Sequence, residues 1–129
     1  MKRILLVATA VALLSASVAL ASDEAAKKAK AEPVTMTGEV LDLYCYMQHP
    51  ESATGAEHAK CAKGCISKGL PIGFLASDGT MYVIIGKDHE SASTAVADYV
   101  GKKSTLTGIV KEQKGMKAIE LVSIADAKS

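Results

Sequence analysis

Two short apolar runs joined by an Asp-Gly turn constrain the fold of this chain more than any other feature. The runs Ile72–Ala76 and Met81–Ile85 consist mainly of residues that favour strands, and Ser-Asp-Gly-Thr at 77–80 separates them. Asp-Gly between apolar runs is a strong β-hairpin signal, because the favoured two-residue turn needs positive φ at both central positions. The sequence therefore predicts a pair of antiparallel strands here.

A repeated segment predicts the rest of the sheet. Thr-Met-Thr-Gly-Glu-Val at 35–40 matches Thr-Leu-Thr-Gly-Ile-Val at 105–110. A glycine in the middle of a strand permits a bend or bulge, which a small barrel needs at its corners. We predict that 34–46 is a long bent strand and that the two matching segments are neighbours. A hairpin of 104–111 with 116–124 completes five strands.

Two helices are predicted between the strands. Thr54 can cap the first helix, with Glu57 as the return arm of a capping box, and a glycine and a proline mark its end, so it should span about 55–68. The second has apolar residues at the spacing of a core-packing helix and ends at Gly101. Its apolar residues are Ala92, Ala95, Val96, Tyr99 and Val100.

The predicted order, β-α-β-β-α-β-β, resembles the OB-fold, a five-stranded barrel with a helix between strands three and four. The resemblance covers roughly 34–124 and implies a mainly β fold with two helices, in one domain spanning 34–126. The chain departs from that pattern by a helical insertion, 47–70, after strand one. It is similar in this respect to small exported bacterial proteins with a cysteine and histidine segment at that point, a likeness that implies no activity.

The first residues have the pattern of a secretory signal peptide. Lys2 and Arg3 precede an apolar run, 4–18, and Ala-Leu-Ala at 19–21 predicts cleavage before Ser22. The apolar run is short for a bilayer span of about 20 residues. We therefore predict a cleaved signal at 1–21, a flexible leader at 22–33, a periplasmic or secreted location, and no membrane span after cleavage.

Charge and composition argue against two classes of function. Removing Lys2 and Arg3 from the fifteen basic residues leaves thirteen, against fourteen acidic ones, a balance of −1. With one Phe and no Trp, the chain lacks the basic stripe and stacking rings of nucleic-acid-binding proteins, so no nucleic-acid partner is predicted. No hydrolase, phosphate-binding, zinc-protease or haem-attachment motif is present, and no enzyme is predicted.

A dense group of potential metal ligands carries the functional prediction. Three of its members fall in one stripe of the first helix, and three alternate along the end of the first strand, so each triplet should share a face. The two faces should then converge on one metal ion. The six residues fall within twenty-one positions and include all three cysteines of the chain: Cys45, Met47, His49, His58, Cys61 and Cys65.

Sulfur and imidazole ligands suit copper and zinc, and a thioether from Met47 would favour copper, so copper is the first choice and zinc the second. The Cys-x-x-x-Cys spacing is similar to that of copper chaperones that serve cytochrome oxidase, although Ile66 stands where those proteins carry proline. The predicted function is an exported protein that buffers, senses or delivers copper or zinc. Its partners would be the metal ion and a periplasmic protein.

A disulfide is the alternative use of the cysteines, because exported proteins meet an oxidising compartment. Cys45 could pair with Cys61 or Cys65, closing a loop of roughly 16 to 20 residues worth about 3 kcal/mol and leaving one thiol over. The chain would then be a disulfide-stabilised OB-like interaction module without a metal. The sequence leaves both alternatives open.

Overall fold

Five strands close into a barrel in the computed structural model, which describes residues 31–128. Around the barrel they follow the order β1-β2-β3-β5-β4; the contact of β3 with β5 is parallel, and the other pairs are antiparallel. The mainly β, OB-like fold class is thereby confirmed. The predicted signal peptide, 1–21, and the leader as far as residue 30 lie outside the described residues. The strands are β1 (Val34–Asp42), β2 (Ile72–Ala76), β3 (Met81–Ile85), β4 (Lys103–Gln113) and β5 (Met116–Asp126).

Both predicted hairpins are confirmed. The turn between β2 and β3 has Gly79 at φ 86°, and the Asp78 side chain accepts a hydrogen bond from the Thr80 N–H at 2.8 Å. The turn between β4 and β5 uses Lys114 and Gly115, both with positive φ. The strands of the second hairpin extend one or two residues beyond the predicted bounds.

The matching Thr-x-Thr-Gly-x-Val segments lie side by side, as predicted. Thr35 pairs with Thr107 across β1 and β4, and their hydroxyl oxygens are 2.8 Å apart. β1 pairs with β4 through its first part and with β2 from Gly38 onward. A Cβ at Gly38 would fall against the Leu75 carbonyl oxygen, so glycine is needed where β1 passes between its two neighbours.

The barrel interior is a continuous apolar core. Val40, Phe74, Leu106 and Ile119 are fully buried in it. The predicted second helix is shorter than expected: α3 spans only Ser93–Val96, and a 3-10 turn, Ala97–Tyr99, follows. Of its predicted apolar stripe, Ala92, Val96 and Val100 are buried and Tyr99 packs against the core, whereas Ala95 is exposed.

The first strand ends earlier than predicted. β1 stops at Asp42, and residues Leu43–Gln48 form a short helix, α1, so the extended conformation predicted for 43–46 is wrong. The cause is local capping, because the Asp42 carboxylate accepts the backbone N–H of Cys45 at 2.8 Å. The Leu43 N–H bonds to the Pro71 carbonyl at 2.9 Å and ties the start of α1 to the residue before β2.

The second helix of the insertion, α2 (Gly55–Ser67), is confirmed to within a residue. Its predicted capping box is wrong, because the Thr54 side chain makes no capping hydrogen bond and the Gly55 N–H donates to the Glu39 carboxylate. Ala62 and Ile66 are buried and fix α2 against the barrel core. None of the helices within 31–128 has the length and apolar character needed to cross a bilayer.

Candidate metal centre

The three cysteines of the chain meet at one place. Cys45 lies on α1, whereas Cys61 and Cys65 lie one helical turn apart on α2. All three Sγ atoms lie within 4.8 Å of one another. The predicted convergence of strand one's end with the inserted helix therefore holds for the cysteines, although Cys45 reaches the cluster from a helix and not from a strand.

A buried carboxylate organises the inner side of this cluster. Asp42 has no exposed surface; one of its oxygens accepts the Cys45 N–H, and the other lies 3.2 Å from Nε2 of His58. Ligand atoms of Asp42, Cys45 and His58 also lie within 4.8 Å of one another. Cys45 thus belongs to both triplets. We call the five residues Asp42, Cys45, His58, Cys61 and Cys65 the thiol site.

His58 has a different place in the thiol site from the one its helical stripe predicts. Its side chain is 17% exposed and is held by Asp42. Within the described residues, His58 does not join Cys61 and Cys65 in a group whose ligand atoms are all within 4.8 Å. The three sulfurs are therefore the main donor set, and the histidine–aspartate pair lies beside Cys45.

The electrostatics of the site keep the two less exposed thiols protonated. Burial raises the pKa of the Cys45 thiol to about 12, and the hydrogen bond and negative charge of Asp42 add to the shift. Burial, followed by the charge of Asp42, also raises the pKa of the Cys65 thiol. This is the opposite of the pKa shift that activates a nucleophilic cysteine. At neutral pH both thiols therefore stay protonated, and a metal cation would have to displace their protons in order to bind.

The donor set fits a soft or borderline metal. Thiolates select copper(I) and zinc over hard cations. Metal–sulfur bonds of about 2.3 Å place the sulfur atoms of one site roughly 3.8 to 4.0 Å apart, so a set held within 4.8 Å needs little adjustment. Within the described residues none of the three cysteines is in a disulfide. Cys45, Cys61 and Cys65 can therefore all serve as ligands.

The two remaining sequence-predicted ligands lie elsewhere. Met47 is 77% exposed, because successive residues of α1 turn by about 100° and place it nearly opposite Cys45. His49 is exposed and caps the C-terminus of α1 through its backbone N–H. It belongs to neither close group of ligand atoms. The predicted shared face of Cys45, Met47 and His49 is wrong, because it required an extended strand and residues 43–48 form a helix.

Asp42 is the residue of the thiol site that the sequence prediction missed. The predicted strand 34–46 includes Asp42 as an ordinary strand residue between two leucines. The available signal was an aspartate three residues before Cys45, the usual distance from an N-cap to the amide that it binds. Its contact with His58 spans sixteen positions and has no local signature.

Replacing Asp42 should affect both the fold and the site. We expect Asp42→Ala to lower the free energy of unfolding by about 1–3 kcal/mol, because a helix cap is lost and the Cys45 amide and His58 lose their acceptor. Asp42→Asn keeps one acceptor oxygen, so its free energy of unfolding should fall by less. Urea denaturation of the metal-free chain measures both. Asp98→Ala, at a 94% exposed carboxylate, is the control and should change stability by no more than about 0.5 kcal/mol. Equal stabilities of Asp42→Ala and the control would contradict the capping role.

Comparison of the chain with protein-family models, curated proteins and solved structures finds no significant match. What the protein does has to be inferred from the thiol site. That site consists of three sulfurs from two helices, backed on one side by a buried carboxylate and its histidine.

Proposed function

We propose that this chain is an exported metal-binding protein that holds copper or zinc on Cys45, Cys61 and Cys65, for buffering, sensing or delivery. The observation that carries the proposal is the convergence of every cysteine of the chain on one point from two separate helices. Export is proposed from the signal-like pattern at 1–21, and it fits a metal carrier that works outside the cytoplasm.

The surroundings of the sulfurs support a ligand role over inert packing. Inert cysteines behave as small apolar groups and are usually fully buried. Here Cys61 is exposed, and Cys45 and Cys65 are only partly buried. Asp42 fixes the backbone of Cys45 and the ring of His58, as the outer partners of metal ligands commonly do.

Copper is the first choice of metal and zinc the second. Among residues 31–128, no fourth His, Cys, Asp or Glu ligand atom joins the three sulfurs at the same spacing, and three donors match the low coordination number that copper(I) accepts. Zinc is almost always four-coordinate in structural sites. It would have to recruit His58, by a movement of its ring, or a ligand from outside the chain.

Metal content tests the proposal directly. The chain beginning at Ser22 is purified under reducing conditions, loaded with copper(I) or zinc, desalted, and analysed by native mass spectrometry. We expect one ion per chain and protection of all three thiols from iodoacetamide. Protein alkylated before loading is the control and should retain none. If neither metal survives desalting, or if metal leaves the three thiols as reactive as before, the proposal fails.

A further inference from the structure

At one position of the chain, neither the backbone conformation nor crowding requires the glycine that stands there. Gly64 lies inside α2, where glycine destabilises a helix relative to alanine. Its φ is not positive, and an added Cβ would meet no heavy atom within 4 Å. The nine other glycines, all within the described residues, either have positive φ or would bring a Cβ closer than 3.0 Å to a neighbour; they are Gly38, Gly55, Gly69, Gly73, Gly79, Gly86, Gly101, Gly108 and Gly115.

Gly64 lies beside the outer sulfurs of the thiol site. It lines an open depression of about 530 Å³ on the surface of α2, together with Cys61 and Cys65. Cys45 is not part of this lining, so the depression reaches the sulfur cluster from its exposed side. A side chain at position 64 would project into open space there. The absence of one keeps the approach to Cys61 and Cys65 clear.

The rim of the depression carries a net positive charge. Its charged residues are Lys60, Lys68 and Glu57, which sum to +1. Within residues 31–128 neither lysine is in a salt bridge. Such a rim favours the approach of an anion, and the neighbouring sulfurs favour a ligand that binds soft metals. A small thiol that also carries carboxylates has both properties.

We propose, on the basis of the proposed metal-binding function, that this depression admits an anionic thiol to the bound metal. The thiol sulfur bonds to the metal, the bond from the metal to the Cys61 sulfur breaks, and the proton of the incoming thiol passes to Cys61. The metal keeps its oxidation state throughout. Cys61 is the departing ligand because it is the most exposed of the three sulfurs. Cys45 and Cys65 hold the metal during this first exchange, and further thiol molecules then replace them in the same way, each passing its proton to the cysteine that it displaces.

The rate of metal loss to a small thiol tests this proposal. The metal-loaded chain is mixed with excess mercaptosuccinate or, separately, with cysteamine, a thiol of positive charge. We expect mercaptosuccinate to remove the metal faster, by an amount that shrinks at high salt. Gly64→Leu, which fills the depression, should slow removal by mercaptosuccinate by about tenfold or more.

Two further variants in α2 distinguish the effect of side-chain size at position 64 from the effect of helix stability on the exchange rate. Gly64→Ala should raise the melting temperature by about 4 °C, because alanine favours the helix, and should slow exchange less than leucine does. Ala56→Gly lowers helix propensity at an exposed position of α2 outside the depression. Its exchange rate should equal that of the unmodified chain.

Two further variants test whether the charge of the rim causes the preference for the anionic thiol. Lys60→Gln combined with Lys68→Gln should abolish the preference for mercaptosuccinate over cysteamine. Lys63→Gln is the matched control, since Lys63 lies on the same helix, is 3.9 Å from Asp98, and does not line the depression. The control should keep the preference.

Two results would overturn the proposal: an unchanged exchange rate in Gly64→Leu, or equal rates for the two thiols in the unmodified chain. Retention of metal by the unmodified chain is measured first. A chain that retains no metal refutes the proposed function and this proposal with it. A chain that retains metal but exchanges it at the same rate after Gly64→Leu refutes only the exchange route.

Discussion

Changing Cys45 to serine is expected to lower the metal affinity of the chain by at least about 100-fold, more than the usual loss from an outer partner of a ligand. Cys45 is the single cysteine on α1 and belongs to both close groups of ligand atoms. Without it, two sulfurs on one helix remain. A serine hydroxyl is a poor ligand for a soft metal, but it fits the space of the thiol, so the fold should persist.

Competition with a chromophoric chelator measures this loss for copper(I) and for zinc. Met47→Ser is the control, because it also replaces a sulfur-containing side chain with serine on the same short helix, but at a 77% exposed position. Its affinity should stay within about twofold of that of the unmodified chain, since exposed substitutions seldom change more than 0.5 kcal/mol. A Cys45→Ser chain that still binds as tightly as the control would show that α1 takes no part in holding the metal.

Replacing Gly38 with alanine is expected to destabilise the barrel by about 3 kcal/mol, at the upper end of what overpacking costs. The added methyl group would fall against the Leu75 carbonyl oxygen and within 2.8 Å of Ala76 Cα and Phe74 Cε1. Two of these atoms are backbone of β2, which cannot withdraw without loosening its pairing with β1. The melting temperature should fall by about 12 °C or more.

Gly64→Ala is the natural comparison for this change. It is the same substitution in the same chain, but at a position where the new methyl group meets nothing within 4 Å. Urea denaturation of both metal-free variants should therefore give opposite signs, with Gly64→Ala more stable by about 0.5–1 kcal/mol. A Gly38→Ala chain as stable as the unmodified one would mean that β1 and β2 can separate at this point without cost.

Much of the barrel could be predicted from local patterns. The Asp-Gly turn and its flanking apolar runs predict β2 and β3 with the observed bounds, because turn chemistry and strand preference agree there. The repeat of Thr-x-Thr-Gly-x-Val correctly predicts that β1 and β4 are neighbours. Its glycines are needed against other strands, Gly38 against β2 and Gly108 against β5. The proximity of Cys61 and Cys65 on one face of α2 follows from helical spacing alone.

The parts that were not predicted depend on one local cap and on contacts between distant residues. Leu43–Gln48 contains residues common in strands, yet a capping aspartate and a hydrogen bond from Leu43 to Pro71 make it a helix. Thr54 looks like the residue that caps α2, but Glu39, sixteen positions from Gly55, binds the first amide of that helix. The helical conformation of α1 also places Met47 on the side opposite Cys45.

The two ends of the inserted segment face each other in the barrel. Asp42, the last residue of β1, pairs directly with Ile72, the first residue of β2, although thirty positions separate them. The segment between them can therefore lengthen or shorten, in related chains or in designed ones, without shifting the register of any strand. A residue added inside β1 would instead turn its core-facing side chains outward. Natural variation in the residues of the thiol site should thus accumulate between Asp42 and Ile72, while the strands of the barrel keep their lengths.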